Sequence, residues 1–426
     1  MGLGLVVSGV SAYAFLAMSA RGLGPTAFAP LSVLWATLFV AGPGLFQPVE
    51  QELTRSISAR LTEGSGYSTL LRRAVMLTTG LFAAVLVVAV AASSFIVNEL
   101  FAGQWSLWVA LVVGVGGYAV SHVVRGCLAA SQQFNRYSAW FVADGLAKAV
   151  PCAVIAAASA SIGWYALVLA VAAYVGALVA GRGVRIDRSA EEPDSSWAEL
   201  TRSMSHLLAS SVAVAALLNA GTVAVELLAG PGESDMAGIF LTGLVIARMP
   251  LFFYQAVQAA LLPRLTAVAT KGQVRDFRTI LWQMMGLLGV LTVLTIGASL
   301  VAGSWAVGLL FGPSYRALSG SDMALLALAS MLAMAALTLG QALIALHRQS
   351  LVWWPWVLGL AVFAVTVVVA SDDLFVRVEV ASVVSSAVVL VAMAAQTIPL
   401  LGRTASTALD TGDLLEALHE LPLEGP

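Results

Sequence analysis

AVMLTTGLFAAVLVVAVAASSFIV, residues 74–97, runs for twenty-four residues without a charged side chain, bounded by Arg72-Arg73 on one side and Glu99 on the other. As a helix rising 1.5 Å per residue it would reach about 36 Å, enough to cross a hydrocarbon core of about 30 Å. Inside lipid the backbone must satisfy its own hydrogen bonds, and an α-helix does so within one segment. The stretch therefore reads as a transmembrane helix, and its neighbours repeat the pattern.

Apolar stretches with few or no charged residues recur at residues 1–20, 28–47, 74–97, 105–124, 138–160, 162–181, 204–229, 236–262, 279–301, 320–346, 351–370 and 377–400, which makes twelve. The composition agrees: 60% of the 426 residues are apolar, 10% are charged, and the mean hydropathy is +0.92. A soluble domain carries about 25% charged residues to cover its surface. The expected fold is an all-α polytopic membrane protein with twelve transmembrane helices. A net charge of −2 and the lack of a basic block give no sign of nucleic-acid binding. Cys127 and Cys152 stand apart and read as small core residues. The uncharged span Met1–Ala20 lacks the basic start of a secretory signal and is expected to stay as the first helix, with room for a longer native start upstream.

Loop charge orients the spans. Sixteen of the twenty-one Lys and Arg residues fall on the N-terminal side, three (Arg21, Arg316, Arg377) on the other, and Lys148 and Arg248 within helices. Positive charge collects in the cytoplasm, so both termini are expected there. Two lysines against nineteen arginines also fit a GC-rich bacterial genome and a bacterial cytoplasmic membrane. The charged stretch at residues 182–203 divides the chain into a six-helix lobe at 1–181 and another at 204–400, followed by an acidic cytoplasmic tail at 401–426.

The halves echo each other. Pro43, Phe46 and Gln51 recur 207 residues later as Pro250, Phe253 and Gln258, while Gly80 and Ala92-Ser93 recur 206 later as Gly286 and Ala298-Ser299. Pro151 has a counterpart in Pro355. Six spans per half is even, so both copies point the same way. Proline removes a backbone donor and bends a helix. The pairs Pro43/Pro250 and Pro151/Pro355 are thus expected as hinges, with ordinary packing kinks as the plainer reading.

Ionisable groups at membrane depth cost about 2.5–3.5 kcal/mol even on lenient scales and need a partner, water or a task. Arg248 lies twelve residues into the eighth stretch, with Leu244 and Phe252 at the positions where a same-face acid would sit. Lys148 has Asp144 four residues earlier, a spacing that also suits a self-neutralising structural couple. Asn219 and Gln255 are neutral and fit either a cavity or a helix contact. Together Arg248, Lys148, Asp144, Asn219 and Gln255 form the candidate cavity set, net positive and suited to an anion, since a guanidinium fork matches phosphate oxygens. No zinc-protease, nucleophile-elbow or Walker motif is present and the four histidines are scattered, so no catalytic residue, metal site or cofactor is expected.

Several segments have a familiar look. Ala20-Arg21-Gly22-Leu23-Gly24-Pro25, Gly42-Pro43-Gly44-Leu45-Phe46-Gln47-Pro48-Val49-Glu50-Gln51-Glu52, Arg125-Gly126-Cys127, Asp144-Gly145-Leu146-Ala147-Lys148 and Ala247-Arg248-Met249-Pro250-Leu251-Phe252 resemble the polysaccharide-biosynthesis (O-antigen, Wzx-like flippase) branch of the multidrug/oligosaccharidyl-lipid/polysaccharide (MOP) exporter superfamily. The resemblance implies two six-helix lobes around a cavity that flips undecaprenyl-diphosphate-linked oligosaccharide by alternating access, with Arg248 at the family's cavity-facing basic position in span eight. It implies a lipid-linked oligosaccharide substrate, contact with membrane lipid, and a polysaccharide polymerase or glycosyltransferases as partners. The related lipid II flippases carry further first-helix arginines and two more spans, which this chain lacks. A MATE-like ion-coupled drug or metabolite antiporter is the alternative; the loop signature of a major-facilitator transporter is missing from 48–73, and a membrane polymerase would need larger outer loops.

The loop charges make a direct prediction. With Cys127 and Cys152 replaced, a cysteine at Ser195 stays unlabelled by a membrane-impermeant thiol reagent in intact cells; labelling would reverse the orientation.

Overall fold

The computed structural model describes residues 2–419 except 63, 159, 183, 185–196, 231, 234, 252–253, 255–260, 262–264, 266–267, 270–272 and 347. The chain forms α1 (Gly2–Ala41), α2 (Pro43–Thr62), α3 (Ser68–Ala91), α4 (Trp105–Ala130), α5 (Phe134–Ala157), α6 (Ile162–Gly181), α7 (Trp197–Leu228), α8 (Met236–Ala247), α9 (Val274–Phe311), α10 (Gly320–Ala345), α11 (Trp353–Val369) and α12 (Leu374–His419). A π-helical turn at Ile96–Leu100 follows α3. Among the described residues nine stretches are long and apolar enough to cross a membrane, and α8 and α11 are shorter apolar helices. The first stretch is really two crossings, because Gly24 breaks α1 with φ 75°, a left-handed conformation that glycine adopts without strain. That gives twelve crossings in a polytopic, all-α membrane protein. We call the face carrying Gly2 proximal and the face carrying Gly24 distal.

Helices α1 to α6 pack among themselves, as do α7 to α12, and the halves meet through α1 and α2 against α7 and α8. The repeat seen in the sequence has a spatial counterpart. The third crossing of each half, α3 and α9, is peripheral, with 17% and 11% of its most apolar window buried. The fourth, α4 and α10, is central, at 61% and 72%. Both central helices are rich in Gly and Ala, which lets backbones approach where lipid gives no hydrophobic drive for helix association. Across the halves, a Cβ on Gly238 of α8 would come within 3.1–3.2 Å of the Pro25 carbonyl and the Ala29 backbone, so that crossing needs glycine.

The expected boundaries shift in places. Helix α7 begins at Trp197, inside the stretch read as linker, and α12 runs on to His419, into the stretch read as tail. Pro43 opens α2 after a turn at Gly42, and Pro250 lies just beyond a turn at Arg248, so this repeated pair marks two helix interruptions. Pro151 sits within an uninterrupted α5. Pro355 falls in the first turn of α11, where a missing N–H removes no helical bond.

Among the described residues, five side-chain bonds tie the halves together. Arg21 donates through Nε to the Leu310 carbonyl (2.8 Å) and through Nη2 to that of Leu309. Tyr315 donates to the Ala20 carbonyl (2.8 Å), Tyr13 to that of Val245 (2.9 Å) and Ser211 to that of Pro43 (3.4 Å). Leu309 and Leu310 end α9, Val245 ends α8, and Ala20 lies in the last turn before Gly24. Four of the five acceptors are thus carbonyls at helix ends, where intrahelical donors run out, and each is capped from the other half. Edge-to-face contact of Phe28 with Tyr315, centroids 6.0 Å apart, backs the distal cluster.

Replacing Arg21 with Ala removes two of these caps and should raise the population with the distal face parted by about fivefold, Arg21 being exposed and its bonds correspondingly weak. Spin labels at Gln104 and Asp372, with both native cysteines replaced, read the distance; an unchanged distribution would make the bonds incidental.

Candidate functional site

Helix α8 stops after twelve residues, with Arg248 at its end (φ −96°, ψ 2°). Proline explains the stop: Pro250 has no N–H, its ring crowds the carbonyl four residues back, and it disfavours helical geometry before it. The break places the Arg248 side chain on a cleft in the C-terminal half enclosing about 350 Å³ together with its open mouth. Its walls come from α7 (Leu217, Leu218, Gly221), α8 (Phe240, Leu244), α10 (Ala329, Ser330) and α12 (Ser382, Ser385, Ser386). Arg248 is the charged residue in that lining, the rest being apolar or hydroxylic. Its Nε is buried without a hydrogen-bond partner. Ser330, Ser382 and Ser385 donate to carbonyls of their own helices, which leaves oxygen lone pairs and rotatable O–H groups facing the cleft.

The other candidate residues lie elsewhere. Lys148 and Asp144 are buried in the N-terminal half as an ion pair, Nζ to Oδ2 2.7 Å, within one face of α5. That is the structural-couple geometry, and Gly145 between them packs against Ser8 and Ser11 of α1. Asn219 turns back on its own helix, donating to the Ala215 carbonyl at 2.8 Å. Gln255 lies outside the described residues.

Three features were not read from the sequence. Glu50 of α2 is gripped by three partners: His122 Nδ1 at 2.7 Å, the Tyr137 hydroxyl at 2.6 Å and Arg125 at 3.2 Å. Arg125, assigned to a loop by hydropathy, lies in α4 with its guanidinium 4.6 Å from the Trp140 ring and 4.8 Å from that of Phe141. The second is Glu379 of α12, 0% exposed with neither carboxylate oxygen hydrogen-bonded. It shares a helix face with Ser382 and Ser386, three and seven residues on, a spacing that was visible in the sequence. The third is Tyr13 of α1, which caps the Val245 carbonyl one turn before Arg248. The net-positive balance drawn from the sequence therefore omitted two buried acids.

Comparison with known proteins follows this geometry. No protein-family model matches the chain. Two uncharacterized proteins of Mycobacterium tuberculosis are similar: Rv3630, 26% identical over 369 residues (83% of this chain, 81% of that protein), and Rv1510, 26% identical over 357 residues (80% and 78%). Among solved structures, the inward-facing conformation of a multidrug resistance MATE family transporter of the MOP superfamily superposes with a TM-score of 0.73 at 13% identity, covering 94% of this chain and 95% of that one. An outward-facing conformation of such a transporter gives 0.66 at 13% identity, covering 94% and 96%. A MOP superfamily transporter from Pyrococcus furiosus, described as having a binding pocket of reverse polarity, gives 0.66 at 14%, covering 94% and 96%. The chain thus shares the fold of these MATE transporters, with the higher TM-score to the inward-facing one.

Breaking the buried pair tests its structural role. Asp144→Ala strands the Lys148 ammonium and should cost about 3–5 kcal/mol, while Asp144→Leu with Lys148→Met should recover most of it. Thermal unfolding in detergent separates the two, and equal losses would deny the coupling.

Proposed function

We propose that this protein is an alternating-access transporter that flips a lipid-linked, undecaprenyl-diphosphate-type oligosaccharide across the bacterial cytoplasmic membrane for cell-surface polysaccharide synthesis. The observation that carries the reading is Arg248: a guanidinium whose buried Nε has no hydrogen-bond partner among the described residues, on a cleft whose other described walls are apolar or hydroxylic. A carboxylate in that wall would draw cations; a lone guanidinium among serines suits a phosphate bearing an apolar tail. The fold supports transport, since its structural neighbours are transporters, and no catalytic constellation accompanies it among the described residues. With the termini in the cytoplasm, the capped distal face is the outer face, so the cavity opens inward, where a lipid-linked sugar is assembled. Glycosyltransferases and a polysaccharide polymerase are the partners this role requires. The prolines at the α2 and α8 interruptions would serve as hinges.

The MATE-like antiporter reading has one observation in its favour, Glu379. A buried carboxylate without a partner costs several kcal/mol when ionised, and trading that cost for a bound proton or cation is how an exchanger couples transport to a gradient. Flipping and ion coupling are compatible in one protein.

Arg248→Ala should insert normally and accumulate lipid-linked oligosaccharide on the cytoplasmic leaflet, with substrate affinity reduced about tenfold to a hundredfold, as loss of about 1.5–3 kcal/mol of charge-assisted contact requires. Arg248→Lys should retain more activity, since it keeps the charge and loses the fork. Wild-type export by a normally expressed Arg248→Ala protein would remove both the residue and the anionic substrate.

A further inference from the structure

We infer that Tyr13 is the residue through which an anion at Arg248 unlocks the two halves: its single O–H serves either the Val245 carbonyl or the bound anion. This rests on the reading of Arg248 as the anion site. A ligand moves a two-state protein only by its differential affinity for the two states. The structure therefore has to contain a contact that exists in one state and that the ligand can replace.

Tyr13 has that position. It stands on α1, in the N-terminal half, and its hydroxyl donates at 2.9 Å to the carbonyl of Val245 in the last turn of α8, in the C-terminal half. Three residues on, at the end of the same helix, is Arg248. A phenol has one proton to donate. Given a neutral carbonyl and an anionic oxygen within reach, it favours the anion, because charge-assisted hydrogen bonds are roughly twice as strong as neutral ones.

An anion held on the unpartnered Arg248 Nε would draw the Tyr13 hydroxyl away from Val245. The α8 end would then lose its cap from the other half, and one of the five side-chain ties between the halves would be gone. Loading would thereby favour the parted state. The other described ties act elsewhere, Arg21 and Tyr315 toward the Gly24 end and Ser211 at the start of α2, whereas Tyr13 caps the helix that Arg248 ends. Tyr13 is half-buried, and its bond ends on the same helix, α8, that supplies Phe240, Leu244 and Arg248 to the cleft.

The test uses full-length protein in nanodiscs with spin labels at Gln104 and Asp372 and undecaprenyl diphosphate as the probe. In otherwise wild-type protein, added lipid should shift the population toward the wider distance. Tyr13→Phe keeps the ring and loses the donor. It should bind the lipid within about threefold of wild type, yet show a lipid-induced shift at least about fivefold smaller. A Tyr13→Phe protein that shifts as wild type does, or that no longer binds the lipid, overturns the switch. Fluorotyrosine at position 13 gives a second readout without loss of the hydroxyl: its fluorine NMR signal should move on lipid addition in wild type and stay fixed in Arg248→Ala. A fixed signal in wild type also overturns the proposal. Unchanged lipid binding by Arg248→Ala would instead show that the anion-site reading itself had failed.

Discussion

The Arg21 guanidinium leaves the first crossing of one half and ends on the last carbonyls of α9 in the other. Every α-helix leaves its final carbonyls without intrahelical donors, and in apolar surroundings an unmet carbonyl costs several kcal/mol. Interrupting helices at Gly24 and Arg248 multiplies those ends inside the molecule. The halves resolve the problem reciprocally: α1 supplies donors to α8 and α9, and the turn after α9 supplies Tyr315 to α1. Satisfying the helix ends and closing the lobes are consequently one event. The closure needs little apolar glue, which a lipid solvent would not supply.

Charge is handled differently in the two halves. The N-terminal half neutralises what it buries, Asp144 against Lys148 along one helix and Glu50 against His122, Arg125 and Tyr137 across three. Buried atoms without hydrogen-bond partners occur in both halves, His122 Nε2, Arg125 Nε and Asp144 Oδ1 in the first and Arg248 Nε and both Glu379 oxygens in the second; the difference is that, among the described residues, Arg248 and Glu379 have no ion pair. Two copies of one ancestral pattern have thus become a braced half and a half with unmet electrostatic capacity. The cleft at Arg248 and the buried Glu379, on the α12 face that carries Ser382 and Ser386, both fall in the second. Interruption of α8 concentrates this, since the same turn that exposes the arginine also frees the carbonyl that Tyr13 takes.

The twelve crossings and the doubling were legible because lipid imposes a length and a polarity that a sequence displays directly. Arg248 was legible for the same reason: a charge in an apolar stretch stands out, and its i±4 neighbours were visibly uncharged. Partners across helices were not. Glu50 and His122 are 72 residues apart and Glu50 and Tyr137 are 87 apart, and no local periodicity links them. Arg125 went unrecognised because hydropathy ends a helix at the first charge, whereas stacking on Trp140 and Phe141 carries this one inside. Tyr13 carries no signal of its own, its part being set by a carbonyl 232 residues away.

The caps between the halves have a bearing on inheritance. At Ala20, Val245, Leu309 and Leu310 the accepting atom belongs to the main chain, so exchanging those side chains for others of similar size leaves the acceptor in place. Only the donors, Tyr13, Arg21, Ser211 and Tyr315, can be lost by a single codon change. Genetic liability for these described ties therefore rests on four codons, and the facing helix ends are free to drift in sequence while the fastening between them persists.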